Sequence, residues 1–139
     1  MRIHRIVPIA LVVVGCLVAW LVQTDAGGVE VKDVRFVGGS GNVMSALLYR
    51  PVEATPDAPR PGILAVHGYI NSRETQSGFA IEFARRGFVV LALDQTGHGF
   101  SDPPALAHGF GGPDGLDYLR SLEFVDTDRI GLEGHSMGG

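Results

Sequence analysis

Apolar residues fall along this chain in three rhythms, and each predicts a different element. From Ile6 to Val22 they run for 17 positions without a charge, with Arg2 and Arg5 just ahead. No helical phase leaves a polar face, so the run predicts a membrane-directed helix rather than a core helix. From Val29 to Val37 the rhythm is alternation: Val29, Val31 and Val34 fall among Glu30, Lys32 and Asp33, with a slip near Asp33. That pattern predicts a half-exposed strand. Gly38-Gly39-Ser40-Gly41-Asn42 is turn chemistry. Val43 to Tyr49 then predicts a second strand, closing a hairpin with the first. Arg50 to Pro61 holds four prolines and reads as a loop.

From Gly62 the apolar runs become continuous. Ile63-Leu64-Ala65-Val66 and Phe88-Val89-Val90-Leu91-Ala92-Leu93 suit strands covered on both faces, as in a parallel sheet. A helix is expected between them. Asn71 and Glu74 have capping-box spacing, Phe79, Ala80, Phe83 and Ala84 form an apolar stripe, and Gly87 closes the helix. A second helix is expected from Pro113. Asp114 and Asp117 lie near its positive end, and Leu116, Leu119 and Leu122 face the sheet. A last strand, Ile130 to Gly134, follows. The expected fold class is therefore α/β: an antiparallel hairpin leading into a mostly parallel sheet with flanking helices and right-handed crossovers, preceded by a membrane-anchor or signal helix.

Composition narrows this picture. At 139 residues the chain has room for one domain at most. Its 45% hydrophobic and 19% charged residues exclude a disordered chain. A net charge of −4 offers no basic stripe, so nucleic acid is not an expected partner. The single cysteine, Cys16, lies in the first apolar run, leaving no disulfide or thiol metal site in the folded part. No spacing of His, Cys or carboxylates suggests a metal, and no cofactor is implied. Residues 6–22 exceed the usual apolar length of a cleaved signal, about 7–15 residues, and reach the low end of a membrane span. The length favours an uncleaved anchor, although Thr24-Asp25-Ala26 offers small residues for cleavage. Val13-Val14-Gly15-Cys16 loosely resembles a lipoprotein cleavage box, but Leu17 to Val22 stays apolar where a polar tether is expected. Positive charges ahead of the segment predict that the domain lies on the extracytoplasmic side. The expected organisation is residues 1–28 as signal or anchor plus linker, and residues 29–139 as the folded part.

The candidate chemistry sits at the end of the last strand. Gly134-His135-Ser136-Met137-Gly138 is G-x-S-x-G, a nucleophile-elbow pattern. A serine at the tip of a tight strand-to-helix turn has strained backbone geometry. Glycines two before and two after it let neighbouring backbone pass without a Cβ clash. The N–H groups that follow would face an oxyanion. In a chain with 20 glycines the pentapeptide alone is a weak signal, and the bland alternative is that Ser136 only caps a helix. Two further stretches end strands in the same way: His67-Gly68-Tyr69, and Asp94-Gln95-Thr96-Gly97-His98-Gly99-Phe100-Ser101. All three fall where α/β sheets place their ligands.

Together these stretches resemble the serine hydrolases of the α/β-hydrolase fold, over about residues 43 to 139. The resemblance implies that Ser136 is the nucleophile. It implies oxyanion N–H donors from Met137 and from the loop after the third strand, at Tyr69. It reads Asp94 to Ser101 as a structural D-x-x-G-x-G-x-S turn, with His67, His98 and His108 as loop residues and His135 as a neighbour of the elbow. Glu133 is expected to need a partner if its strand is buried. In the family the triad acid follows a later strand and the histidine lies nearer the C-terminus, so residues 29–139 are expected to be the N-terminal part of such a domain, truncated just after the elbow and inactive alone.

Among relatives the chain most resembles the dienelactone-hydrolase-like and serine-aminopeptidase-like branches. A strict dienelactone hydrolase would carry cysteine at position 136, and a haloalkane dehalogenase aspartate. The expected substrate is thus a small-molecule ester or related acyl compound, with the membrane met through residues 6–22. A serine peptidase of the same fold, a non-catalytic hydrolase-like binding module and a truncated relic are the alternatives.

Overall fold

A computed structural model describes residues 3–105 and 109–139. His108 and Arg2 therefore lie outside the described residues. The first apolar run forms one helix, α1, Ile3–Thr24. It stands apart from the rest, and the large side chains from Ile6 to Val22 are exposed. Its length and composition suffice to cross a membrane over Ile6–Thr24.

The alternating stretch and its successor form the expected hairpin. β1 (Val29–Val37) pairs antiparallel with β2 (Val43–Pro51), from Val29 opposite Pro51 to Val37 opposite Val43. The continuous runs form β3 (Arg60–Val66) and β4 (Val89–Leu93), parallel to each other. β5 (Val125–Gly134) lies parallel to β3. The sheet order is β1-β2-β4-β3-β5.

β4 shows why its sequence has no alternation. Val89, Leu91 and Leu93 face one core with Met44, Leu64 and Leu119, while Val90 and Ala92 face another with Tyr49, Ala65, Ala80 and Ala84. Helix α2 (Ser77–Arg85) covers the second face, and helix α3 (Gly112–Arg120) the first. Alanines meet alanines under α2, so that helix can lie close to the sheet. The larger aliphatic side chains fill the space under α3.

Three local expectations need correction. The presumed loop from Arg50 to Pro61 is shorter, because β2 runs to Pro51 and β3 begins at Arg60. Proline is tolerated inside β3 because the β3–β5 register shifts between Pro61 and Gly62, and a bulge demands no ladder donor there. The capping box at Asn71 and Glu74 does not form. The Asn71 N–H instead bonds Gly68 O at 3.3 Å in a turn, and Glu74 accepts from the Ser72 hydroxyl at 2.5 Å in a 3-10 turn, Arg73–Gln76, that precedes α2. Phe79 is 60% exposed, so only Ala80 and Ala84 of the proposed stripe are fully buried.

β5 is also less buried than an interior strand, since it pairs with β3 alone among the described strands. Leu132 is 74% exposed. Glu133 is half-buried, and its Oε2 has no hydrogen-bond partner among the described residues. Burial pushes its carboxyl above the ordinary range, partly opposed by His135.

Candidate active site

The site is assembled where β3, β4 and β5 end. β5 finishes at Gly134, His135 continues extended, and Ser136 begins a 3-10 turn, Ser136–Gly138. Ser136 has φ +56°. For a residue with a Cβ this left-handed backbone costs about 1–2 kcal/mol, so the surroundings must impose it. They do so by close packing. A Cβ on Gly134 would overlap the Gly138 carbonyl. A Cβ on Gly138 would overlap the Val66 carbonyl and come within 2.7 Å of the His67 carbonyl. The His135 N–H bonds Val66 O at 3.1 Å, and the Gly138 N–H bonds His135 O at 2.9 Å. The elbow is thus threaded against the end of β3. Two glycines make the threading possible, as the spacing of the motif requires.

The loop after β3 lies directly against this turn. A Cβ on Gly68 would stand 3.3 Å from Ser136 Cβ and 3.2 Å from His135 O. Tyr69 follows, with its side chain 62% exposed and its ring edge-on to His98 at 6.1 Å. Ser136, Met137 and the Tyr69 backbone are therefore neighbours at one end of the sheet. Met137 lies in the first turn of its helical segment, where an N–H has no preceding carbonyl to bond.

A network of buried polar groups fixes this loop at both ends. At the near end is His67, fully buried. Its Nε2 accepts the Gln95 N–H at 3.1 Å. The other nitrogen, Nδ1, must then carry the proton, and donates to Gly68 O at 2.7 Å. The Gln95 side-chain amide donates to His67 O. Burial holds the His67 imidazole below its ordinary range, and the nearby His98 adds to this. His67 is thus a neutral structural group, engaged at both nitrogens.

At the far end is Arg73, 3% exposed. Its backbone N–H bonds Asp94 Oδ1 at 2.8 Å, and its guanidinium forks onto Asp33 at 2.7 and 3.1 Å. The same guanidinium donates to the Ser45 hydroxyl at 2.8 Å and to Ala46 O at 3.0 Å. Phe100 covers it, 5.2 Å from ring centre to Cζ. Hydrogen bonding with Asp33 raises the Arg73 pKa, despite the opposing effect of burial.

The turn after β4 has the structural role expected of it. Asp94 Oδ2 accepts the Phe100 N–H at 3.1 Å, and the Ser101 hydroxyl donates to Asp94 O at 2.8 Å while accepting the Ser45 N–H at 2.9 Å. His98 is held by Thr96 O at 3.1 Å. Neither Arg73 nor the role of Gln95 is marked by a local pattern in the sequence, because their partners lie 40 and 28 positions away.

Among the described residues no imidazole or carboxylate bonds the Ser136 hydroxyl. His135 is exposed and points to the Gly68 side of the elbow. An apolar groove of about 350 Å³ opens on the α3 side, lined among others by Leu64, Val66, Leu116, Leu132 and Met137. Gly138 of the elbow and Gln95 also line it, whereas Ser136 and Tyr69 do not.

Residues 57–139 match the family described as serine aminopeptidase, S33. An uncharacterized protein of Mycobacterium bovis is 36% identical over 80 residues, which make up 57% of this chain and 23% of that protein. The crystal structure of a hypothetical protein from Pseudomonas aeruginosa superposes with a TM-score of 0.66 at 29% identity, over 76% of this chain and 35% of that one. A Pyrococcus furiosus esterase shares the fold, with a TM-score of 0.63 at 24% identity over 79% of this chain and 43% of that one. The chain thus spans about a quarter of the curated relative's length and less than half of either solved structure.

Proposed function

The chain belongs to the serine aminopeptidase (S33) family of α/β hydrolases, and on that premise we propose that Ser136 is the nucleophile of a serine hydrolase acting on ester or related acyl bonds. The single observation that carries this reading is the backbone of Ser136, held at φ +56° between two glycines that have no room for a Cβ. Strain of this kind in a non-glycine residue persists only where the surroundings impose it, and such sites cluster at functional positions. A serine that merely capped a helix would need extended backbone instead.

The reaction follows from the chemistry of the groups. Ser136 Oγ attacks the acyl carbon and gives its proton to a general base. The carbonyl oxygen becomes an oxyanion, stabilised by the N–H groups of Met137 and Tyr69. The intermediate collapses, the alcohol leaves with the proton, and the acyl-enzyme is then hydrolysed by water. Among the described residues no group is placed to act as that base. Tyr69 contributes only its backbone, consistent with its exposed side chain.

A peptide bond is the second reading, favoured by the description of the family. The complete protein and its Ser136→Ala variant should be assayed on a p-nitrophenyl ester and on an aminoacyl anilide. Ester turnover is expected to dominate and to fall by about 10³-fold or more in the variant. Faster turnover of the anilide would make the protein a peptidase. Absence of turnover above the Ser136→Ala background on both substrates would refute the hydrolase reading and leave a binding module.

A further inference from the structure

The two ends of the sheet do different work, and the first helix joins the end without the site. β3, β4 and β5 are parallel, and the loops that build the site follow their C-terminal ends. β1 is antiparallel to β2, which is antiparallel to β4. β1 therefore runs in the same sense as β4 and begins at the opposite end. Val29 pairs with Pro51 there, near the C-terminus of α2. The Val37–Val43 turn lies at the site end, where the Val43 N–H bonds Asp102 Oδ2 at 2.8 Å.

The junction with α1 is not a free tether. Arg85 Nη2 donates to Asp25 O at 2.9 Å, and the Val52 N–H bonds Gly28 O at 3.0 Å. Ala26 packs on the core between sheet and α2. Only Asp25 to Gly28 separate helix from strand, about 14 Å even if fully extended. The pairing register sets Val34 level with the end of β4, so Ser136 stands about 20 Å up the sheet from Val29 at about 3.3 Å per residue. A linker of that length, docked at both ends, cannot bring the elbow down to the surface that α1 enters.

We propose that α1 holds the domain on a bilayer by the pole opposite the site, so that the elbow faces the aqueous phase and takes an acyl substrate dissolved in water rather than one resident in the membrane. The substrate part rests on the hydrolase reading above. The exposed Tyr69, Ile70 and Phe100 at the site end are then a rim for the acyl group, not a surface that dips into lipid. Arg60, Arg85 and Arg86 line a polar cleft beside Gly27 and Gly28 at the membrane pole. Glu53 lines it too, and Glu82 pairs with both Arg85 and Arg86 at 2.9 and 2.7 Å. Strand direction and the docked linker, not charge, set this orientation.

Orientation and substrate can be read separately. In a Cys16→Ser background, a dye is placed on Val52→Cys at the lower pole or on Ser40→Cys at the upper, and the complete protein is reconstituted into vesicles containing nitroxide-labelled phospholipid. The Val52 dye is expected to be quenched severalfold more than the Ser40 dye. Equal or reversed quenching overturns the proposal, as does quenching of neither dye, the result for a domain released from α1. On the same vesicles, a water-soluble ester should be hydrolysed and a long-chain diacyl ester embedded in the bilayer should not. Comparable turnover of the embedded ester also overturns the proposal. Absence of Ser136-dependent turnover on both esters, with the quenching pattern intact, refutes the hydrolase reading and the dissolved-substrate claim while leaving the orientation standing.

Discussion

The two loops that meet at Ser136 are held by opposite means. The loop from His67 to Arg73 is fixed by buried polar groups: His67 and Gln95 at one end, Arg73, Asp94 and Asp33 at the other. Among the described residues the elbow after β5 has no such network. It is held by backbone bonds and by the absence of side chains at Gly134 and Gly138, on a strand whose Leu132 faces solvent. One half of the site is thus made by electrostatic satisfaction and the other by steric exclusion. The first half should be sensitive to charge and pH, the second to a single methyl group.

The largest effect is expected from removing the Arg73 guanidinium. Arg73→Met leaves Asp94 buried without its charge partner and Asp33 without its fork. Breaking a buried pair from one side costs about 3–5 kcal/mol, and the 55% exposure of the Asp33 side chain places the loss near the lower end. Denaturant unfolding of the complete protein would measure it. A loss under about 1 kcal/mol would mean that the loop does not depend on this cluster.

Next comes the elbow. Gly138→Ala is expected to cost about 2 kcal/mol through overpacking against the Val66 carbonyl. It should slow acyl transfer by about 100-fold, because a displacement of about 1 Å suffices for that. Gly139→Ala is the control, since a Cβ there would meet nothing closer than 3.4 Å. Its stability should stay within about 0.5 kcal/mol of the parent. Equal behaviour of the two variants would erase the contrast between the halves of the site.

The pH effect is smaller and has a definite sign. His67 titrates below its ordinary value of 6.5 in the folded state because it is buried. Between the folded pKa and 6.5 the unfolded chain binds more protons, so stability rises with pH across that window and falls on acidification. Melting temperatures followed from pH 7.5 to 5 should decrease, and His67→Gln should flatten that slope. An unchanged slope in the variant would assign the loss to other groups.

Much of this was legible because it is local. The continuous runs of β3 and β4 announced strands covered on both faces, and the glycine spacing around Ser136 announced a turn with no room for Cβ. The D-x-x-G-x-G-x-S turn was legible for the same reason, since Asp94 and Ser101 bond groups a few positions away. Arg73 was not, because what distinguishes it is a pairing with Asp33 on the far side of the hairpin. Asn71 and Glu74 misled for a related reason. Their spacing suits a cap, but the chain is already committed to the turn that presents Tyr69 and delays the helix to Ser77. Pro61 misled because proline argues against a strand unless a bulge removes the need for its N–H.

The central claim is that this strained serine is the nucleophile, and covalent labelling tests it most directly. The complete protein is treated with a fluorophosphonate, digested, and the adduct located by mass spectrometry. The account predicts one adduct per chain, on the peptide containing Ser136, and none in Ser136→Ala. An adduct on another residue, or undiminished labelling of the variant, would contradict it.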